Sequence, residues 1–205
     1  SASNFLYFRN ANVKSLTVET GANFSPPSGS GTLLTVNENF VIESGAFLRQ
    51  ANWSSNGDIS GASDNAYIIA VDGTTPAQLI RRVNSTSNTN YVFPIGTSSV
   101  YTPVTVKLIS GTLSSASIAV RTKNTSVTGV NSNLGRKLNR SWFVEASGIT
   151  SPSYDISYTY GSINELVGDP FLDLIPLKVS NGTWYAPTNS LFTNSRLNNS
   201  TVFSS

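Results

Sequence analysis

Ser15-Leu-Thr-Val-Glu-Thr-Gly-Ala-Asn-Phe24 aligns with Asn39-Phe-Val-Ile-Glu-Ser-Gly-Ala-Phe-Leu48 at an offset of 24 residues. Glu19, Gly21 and Ala22 recur as Glu43, Gly45 and Ala46, and the apolar positions Leu16, Val18 and Phe24 recur as Phe40, Ile42 and Leu48. Leu34-Thr-Val36 repeats Leu16-Thr-Val18 between the two copies. Each copy reads as strand, turn, strand, with glycine supplying the corner. A unit of this length stacks inward apolar side chains on those of the next unit, which is what a parallel β-solenoid requires. Two ordinary hairpins that share a turn sequence are the alternative. Asn65 to Val83, with Tyr67-Ile-Ile-Ala-Val71 and Leu79-Ile-Arg-Arg-Val83, reads as a further, irregular unit.

Outside the repeat, the remaining chain is also β-rich. Short runs of β-branched and aromatic residues are punctuated by Gly, Asn, Ser and Pro, and the best helical stretch, Ile163 to Val167, is short and runs into Asp169-Pro170. Beyond the polar stretch Ser85-Thr-Ser-Asn-Thr-Asn90 the repeat stops and alternating strands take over. These include Val104 to Ile109, Ser117 to Arg121, Trp142 to Glu145, Ile156 to Tyr160, Leu174 to Lys178 and Thr183 to Tyr185. Their number, with regular turn signals, predicts an immunoglobulin-like antiparallel sandwich with Trp142 as its core aromatic. The expected fold is all-β: a short solenoid-like region over residues 1–90, then a sandwich over residues 91–205.

Composition narrows the chemistry. The 205 residues include no His, Cys or Met, so Ser-His-Asp and Cys-His catalysis, His or Cys zinc sites, iron-sulfur ligation and disulfides are excluded. Ser, Thr and Asn number 33, 21 and 22, against 13 basic and 11 acidic residues. This abundance of small polar residues over charged ones is unlike a cytosolic enzyme and predicts export to the cell surface or beyond. The formal net charge of +2 is scattered, so no nucleic-acid partner is expected. No apolar run is long enough to span a bilayer, so no membrane span is expected either.

The motifs of the second half carry a resemblance. Tyr91-Val-Phe-Pro-Ile-Gly96, Tyr101-Thr-Pro-Val-Thr-Val106, Leu138-Asn-Arg-Ser-Trp-Phe143, Tyr154-Asp-Ile-Ser-Tyr-Thr-Tyr160, Trp184 and Phe203 together resemble sandwich modules of large secreted surface proteins of Bacteroidetes. The preceding repeats resemble the short solenoid rungs that adjoin those modules. The resemblance implies an exported, non-enzymatic structural or adhesive module; the chain departs from that pattern in having no C-terminal sorting domain, which leaves its anchoring open.

Candidate sites are few. A glycosidase would need two carboxylates about 5–10 Å apart. Glu19 and Glu43 come into register if the repeats stack, but they occupy equivalent positions and read as stacked exposed side chains, so no catalytic residue is assigned. Asn56, Asp58, Ser60 and Asp64 space oxygen-bearing side chains as a calcium loop begins, with Gly61 at the sixth place, yet Tyr67 stands where the bidentate Glu belongs. A plain Asn/Gly turn is favoured there, calcium being the one cofactor considered. Trp53, Trp184 and Tyr185, with Tyr67 and Tyr101, are the aromatics that could present a glycan platform. Lys107 and Lys178 lie on predicted strands and are the candidates for an internal Lys-Asn crosslink, which needs a buried lysine and a nearby acid. Asn4-Phe-Leu-Tyr-Phe-Arg9 is strand-like and apolar, so Phe5, Leu6, Tyr7 and Phe8 form the candidate assembly strand, adding to an identical subunit by β-augmentation. The expected function is a self-assembling extracellular building block of a filament, surface layer or adhesin stalk. The alternative is an adhesion module that binds glycans or surface proteins.

Overall fold

A computed structural model of the chain describes residues 12–13, 16–24, 34–36, 38–50, 59–70, 76–125, 136–160, 166–168, 178–180, 183–185, 190–193 and 196–200. All regular structure among them is β.

The chain first makes three circuits. Each circuit lays one short strand on each of three sheets, always in the same order. The first circuit is β1 (Asn12–Val13), β2 (Leu16–Val18) and β3 (Asn23–Phe24). The second is β4 (Leu34–Val36), β5 (Phe40–Ile42) and β6 (Phe47–Gln50). The third is β7 (Ile59–Ser60), β8 (Ile68–Ala70) and β9 (Gln78–Arg82). All pairing between circuits is parallel. Thus β1-β4-β7 form a first sheet, β2-β5-β8 a second, and β3-β6-β9 the start of a third, large sheet.

The sequence repeat is this pairing. Leu16 lies opposite Phe40, Val18 opposite Ile42 and Phe24 opposite Leu48. Leu34-Thr-Val36, although it copies Leu16-Thr-Val18, lies on the first sheet beside β1 and not on the second. The turn between the strands is also copied: the Ala22 amide donates to the Glu19 carbonyl at 2.9 Å, and the Ala46 amide to the Glu43 carbonyl at 3.0 Å. Gly21 and Gly45 both sit at φ 77°, the left-handed value that the third residue of a type II turn demands. Inside, side chains stack in columns. One column runs from Leu16 through Phe40 and Ile68 to Ile95, another from Val18 through Ile42 to Ala70.

Beyond β9 the pairing of the large sheet becomes antiparallel. β10 (Thr89–Phe93) is followed by β11 (Ile95–Gly96), which adds to the second sheet in parallel beside β8. β12 (Val104–Lys123) is a 20-residue strand. Along one edge its amino-terminal part pairs with β10 and its carboxy-terminal part with β9. Along the other it pairs with β14 (Ser141–Thr159) from Val104 opposite Tyr158 to Lys123 opposite Ser141. Two predicted strands at each of these places are therefore one long strand, interrupted by register shifts between Leu108 and Ser117 and not by a turn. The interruption keeps even-numbered residues of β12 inward on both sides, so Val104, Val106, Leu108, Ala116, Ile118 and Val120 all enter one core with Phe40, Leu48, Leu79 and Phe93.

The remaining strands are β13 (Arg136–Leu138), β15 (Leu166–Gly168), β16 (Lys178–Ser180), β17 (Thr183–Tyr185), β18 (Ser190–Thr193) and β19 (Arg196–Ser200). β13 pairs with β15 and β16 with β17, while β19 joins β14 and β18 forms the far margin of the large sheet. Trp142 packs against the core and tilts onto Tyr158 with ring centroids 5.0 Å apart, but among the described residues the fully buried aromatics are Phe40, Tyr91 and Phe93.

Candidate functional site

Parts of three of the motifs that carry the sequence resemblance, Ile95–Gly96, Tyr101 with Thr102, and residues 140–142, come together where the third circuit meets β12. Tyr67, just before β8, is buried, and its hydroxyl donates to the Thr97 carbonyl at 2.7 Å. Its ring stacks on Tyr101 with centroids 5.3 Å apart and lies against Gly96, where any side chain would collide with it. A tight reversal follows Gly96: the Thr97 amide donates to the Val100 carbonyl and the Thr102 amide to the Ile95 carbonyl, each at 2.9 Å. The Trp142 indole N–H reaches the Thr102 carbonyl at 3.4 Å. Buried Arg140 donates to the Thr122 hydroxyl at 3.4 Å, and the Ser141 hydroxyl donates to the Thr125 carbonyl at 2.8 Å. Apart from the buried Thr102 hydroxyl, which has no hydrogen-bond partner among the described residues, these polar groups bond to backbone carbonyls and to each other, which ties four chain segments together across an otherwise apolar region.

A second knot holds the step from β9 to β10. Tyr91 is buried, yet its hydroxyl accepts from the amides of Asn84 and Ser85, at 3.3 and 3.0 Å, and donates to the Ser85 carbonyl at 2.8 Å. Arg81 lies 5.4 Å from the centre of the Tyr91 ring and donates to the Val92 carbonyl at 2.8 Å. The polar stretch read as a boundary is thus stitched to the strand that follows it.

Burial pushes the phenols of Tyr67 and Tyr101 above their ordinary value of 10.0. For Tyr67 the nearby Arg140 charge works against this and Asp64 adds to it; for Tyr101 Asp64 adds to it. Tyr158 is pushed up by burial too, with Tyr154 adding. The folded protein therefore holds these protons at pH values where the unfolded chain has lost them. Their stabilisation is complete below pH 10 and disappears as pH rises through the raised folded-state values. Urea midpoints are expected to fall from about pH 10 upward, and Tyr158→Phe is expected to flatten that fall; an unchanged slope in the variant would refute the assignment.

The expected site residues divide as follows. Phe5, Leu6, Tyr7, Phe8, Trp53, Asn56 and Asp58 lie outside the described residues. Ser60 is on β7, and Asp64 is exposed in the turn closed by the mutual hydrogen bonds of Ser63 and Ala66. Among the described residues, no three His, Cys, Asp or Glu side chains stand together as a metal-holding group. Trp184 and Tyr185 are on β17, opposite Val179 and Lys178 of β16. Lys107 stands in one row between Asn90 of β10 and Asp155 of β14. That row is on the side turned from the core, with Asn90 exposed and Lys107 half-buried, not the dry setting a crosslink needs. Glu19 is exposed and Glu43 half-buried after equivalent strands.

Reading the sequence missed the joint of Tyr67 with Gly96 and Tyr101. Its signal was present in Tyr91 to Thr102, but the partner ring comes from the circuit before. Compared with known proteins, the chain matches no family model, no curated protein and no solved structure.

Proposed function

We propose that this chain is an extracellular structural subunit, a self-assembling building block of a surface filament, layer or adhesin stalk. In this reading residues 1–90 form a short parallel β-solenoid and residues 91–205 an immunoglobulin-like sandwich. Subunits join by β-strand addition, with Phe5 to Phe8 as the donated strand. The observation that carries the reading is the set of unpaired margins. Among the described residues β1, β2 and β3 each end their sheet at the same end of the circuits, and β18 ends the large sheet on the opposite side. Unpaired margins present free N–H and C=O groups that another strand can satisfy, and folded proteins usually cover them. Further support comes from the tied joint, where Tyr67, Ser141 and Trp142 all donate to backbone carbonyls. Among the described residues no helix is long and apolar enough to cross a membrane.

The test is negative-stain electron microscopy of the purified chain beside its mass in solution. Regular filaments or sheets are expected, and deletion of residues 1–10 is expected to abolish them while near-native melting is retained. Assembly that survives the deletion would refute donation by the amino-terminal strand. A monomer at every concentration would overturn self-assembly and favour a glycan- or protein-binding adhesion module.

A further inference from the structure

We propose that the first-circuit end is an interface between two copies of this chain, which meet end to end about a two-fold axis with β2 lying antiparallel to β2 of the copy. This rests on the self-assembling reading and adds to it a surface, a partner and a symmetry.

The first observation is an uncovered interior. In the column Leu16, Phe40, Ile68, Ile95, the last three are at most 2% exposed while Leu16 is only half-buried. Ala22 is likewise half-buried, whereas its copy Ala46 is fully buried. These are apolar residues at equivalent positions, identical in the case of Ala22 and Ala46, and among the described residues the exposed members are those with no further circuit beside them. Apolar surface of this kind is stabilised by a partner that continues the stack.

The second is the direction of the backbone groups. In a parallel ladder, a residue turns its N–H and C=O toward one neighbouring strand and the next residue turns both toward the other. The Glu43 amide donates to the Val18 carbonyl at 2.9 Å, so Val18 faces β5. Phe40 continues the pattern by donating to the Tyr67 carbonyl of the next circuit, as Ile68 does to the Pro94 carbonyl. Thr17 therefore turns its N–H and C=O outward, away from β5. A two-fold axis beside Thr17 sets it against Thr17 of the copy as a doubly hydrogen-bonded antiparallel pair. The same axis brings β1 opposite the copy's β3.

The third is that the other end of the circuits cannot accept a partner in the same way. On the second sheet the outward carbonyl of Ile95 is taken by the Thr102 amide, and Gly96 bridges to Tyr101. On the large sheet, β9 is covered by β12. On the first sheet β7 is the last strand at that end among the described residues, but circuits stacked head to tail would still meet a face closed on the other two sheets, so the open end is left to pair with its own kind. A contact of this symmetry closes at two copies. Larger assemblies must then grow from pairs, through margins such as β18.

Thr17→Pro tests this with little collateral damage, because it deletes an outward N–H and leaves the bonds between β2 and β5 in place; proline is tolerated on a sheet margin. Thr17→Ala keeps the N–H and serves as the control. Sedimentation of the wild-type chain is expected to give a concentration-dependent two-chain species, retained in Thr17→Ala. In Thr17→Pro, two symmetry-related hydrogen bonds are lost and dissociation is expected to rise by at least about tenfold. An unchanged melting temperature at monomeric concentration shows that the variant is folded. Pairing that survives Thr17→Pro overturns the interface, and filaments that also survive it leave the self-assembling reading standing. A wild-type chain that stays monomeric overturns both, and slow exchange of the Thr17 amide in that monomer would show that the chain's own residues cover the end.

Discussion

Gly96→Ala and Gly148→Ala are expected to lower the melting temperature sharply, and Gly21→Ala only slightly. A methyl group at Gly96 would lie 2.3 Å from the Val100 carbonyl oxygen and 2.5 Å from the Tyr67 ring. Neither can yield easily: the carbonyl is engaged by the Thr97 amide, and the ring is held by its hydroxyl bond to Thr97 and its stack on Tyr101. At Gly148, on β14, the methyl would stand 2.1 Å from the Ser114 carbonyl oxygen, and the backbone is at φ 67° as well. Such collisions with fixed groups cost about 3 kcal/mol or more, lowering the melting point of a chain this size by about 6–12 °C. Gly21 shares the left-handed backbone, at φ 77°, but has nothing within 4 Å, so it carries only the conformational cost of about 1–2 kcal/mol. Thermal melts followed by circular dichroism would check the order, and three equal losses would mean the close approaches are relieved by movement.

The second large effect is expected at Phe40. It is 2% exposed and stacked between Leu16 and Ile68, so Phe40→Ala removes a ring from both sides of its column. The loss should be about 3–5 kcal/mol. Leu16→Ala, at the half-buried end of the same column, should cost clearly less at concentrations where the chain is monomeric. Urea unfolding of the two variants would measure the difference; equal losses would show that Leu16 is as enclosed as Phe40 in the monomer.

These two tests address different amounts of information in the sequence. The circuits were legible because the period is carried by side chains that touch their own copies: Leu16 on Phe40, Val18 on Ile42, and the Gly21 turn on the Gly45 turn. Periodicity and contact coincide there. The third circuit was legible only in outline, because its strand on the second sheet pairs at a spacing of 28, Phe40 with Ile68, and its strand on the large sheet at 31, Phe47 with Gln78. Variable connections blur a repeat without disturbing the stack. The long strands were read as pairs of shorter ones because Gly111, Ser114, Ser115, Gly148 and Ser151 have turn-forming character. Here they fall at the register shifts of the β12–β14 ladder, with Ser115 and Ser151 both at φ 49°, and the pairing resumes beyond them. No local pattern distinguishes a bulge from a turn when the deciding contact is on another strand. The Tyr67 joint was hidden for the same reason: Gly96 is explained by a ring 29 residues earlier, and nothing near Tyr67 announces it. The outward face of Thr17 needed the pairing direction of β2 and β5, which alternation alone does not supply.

β12 also sets an order of events during synthesis. It pairs with β9, β10 and β14, so Leu79, already beside Leu48 of β6, finds the partner on its other edge only when Val120 has been made. At about 5–20 residues per second, the ribosome leaves the row of Gln78 to Arg82 waiting for seconds. Contacts so distant along the chain also form slowly once both halves exist. The nascent protein therefore passes through an interval in which three apolar circuits are complete and their lid is not, the stage at which a holding chaperone would have the most to do.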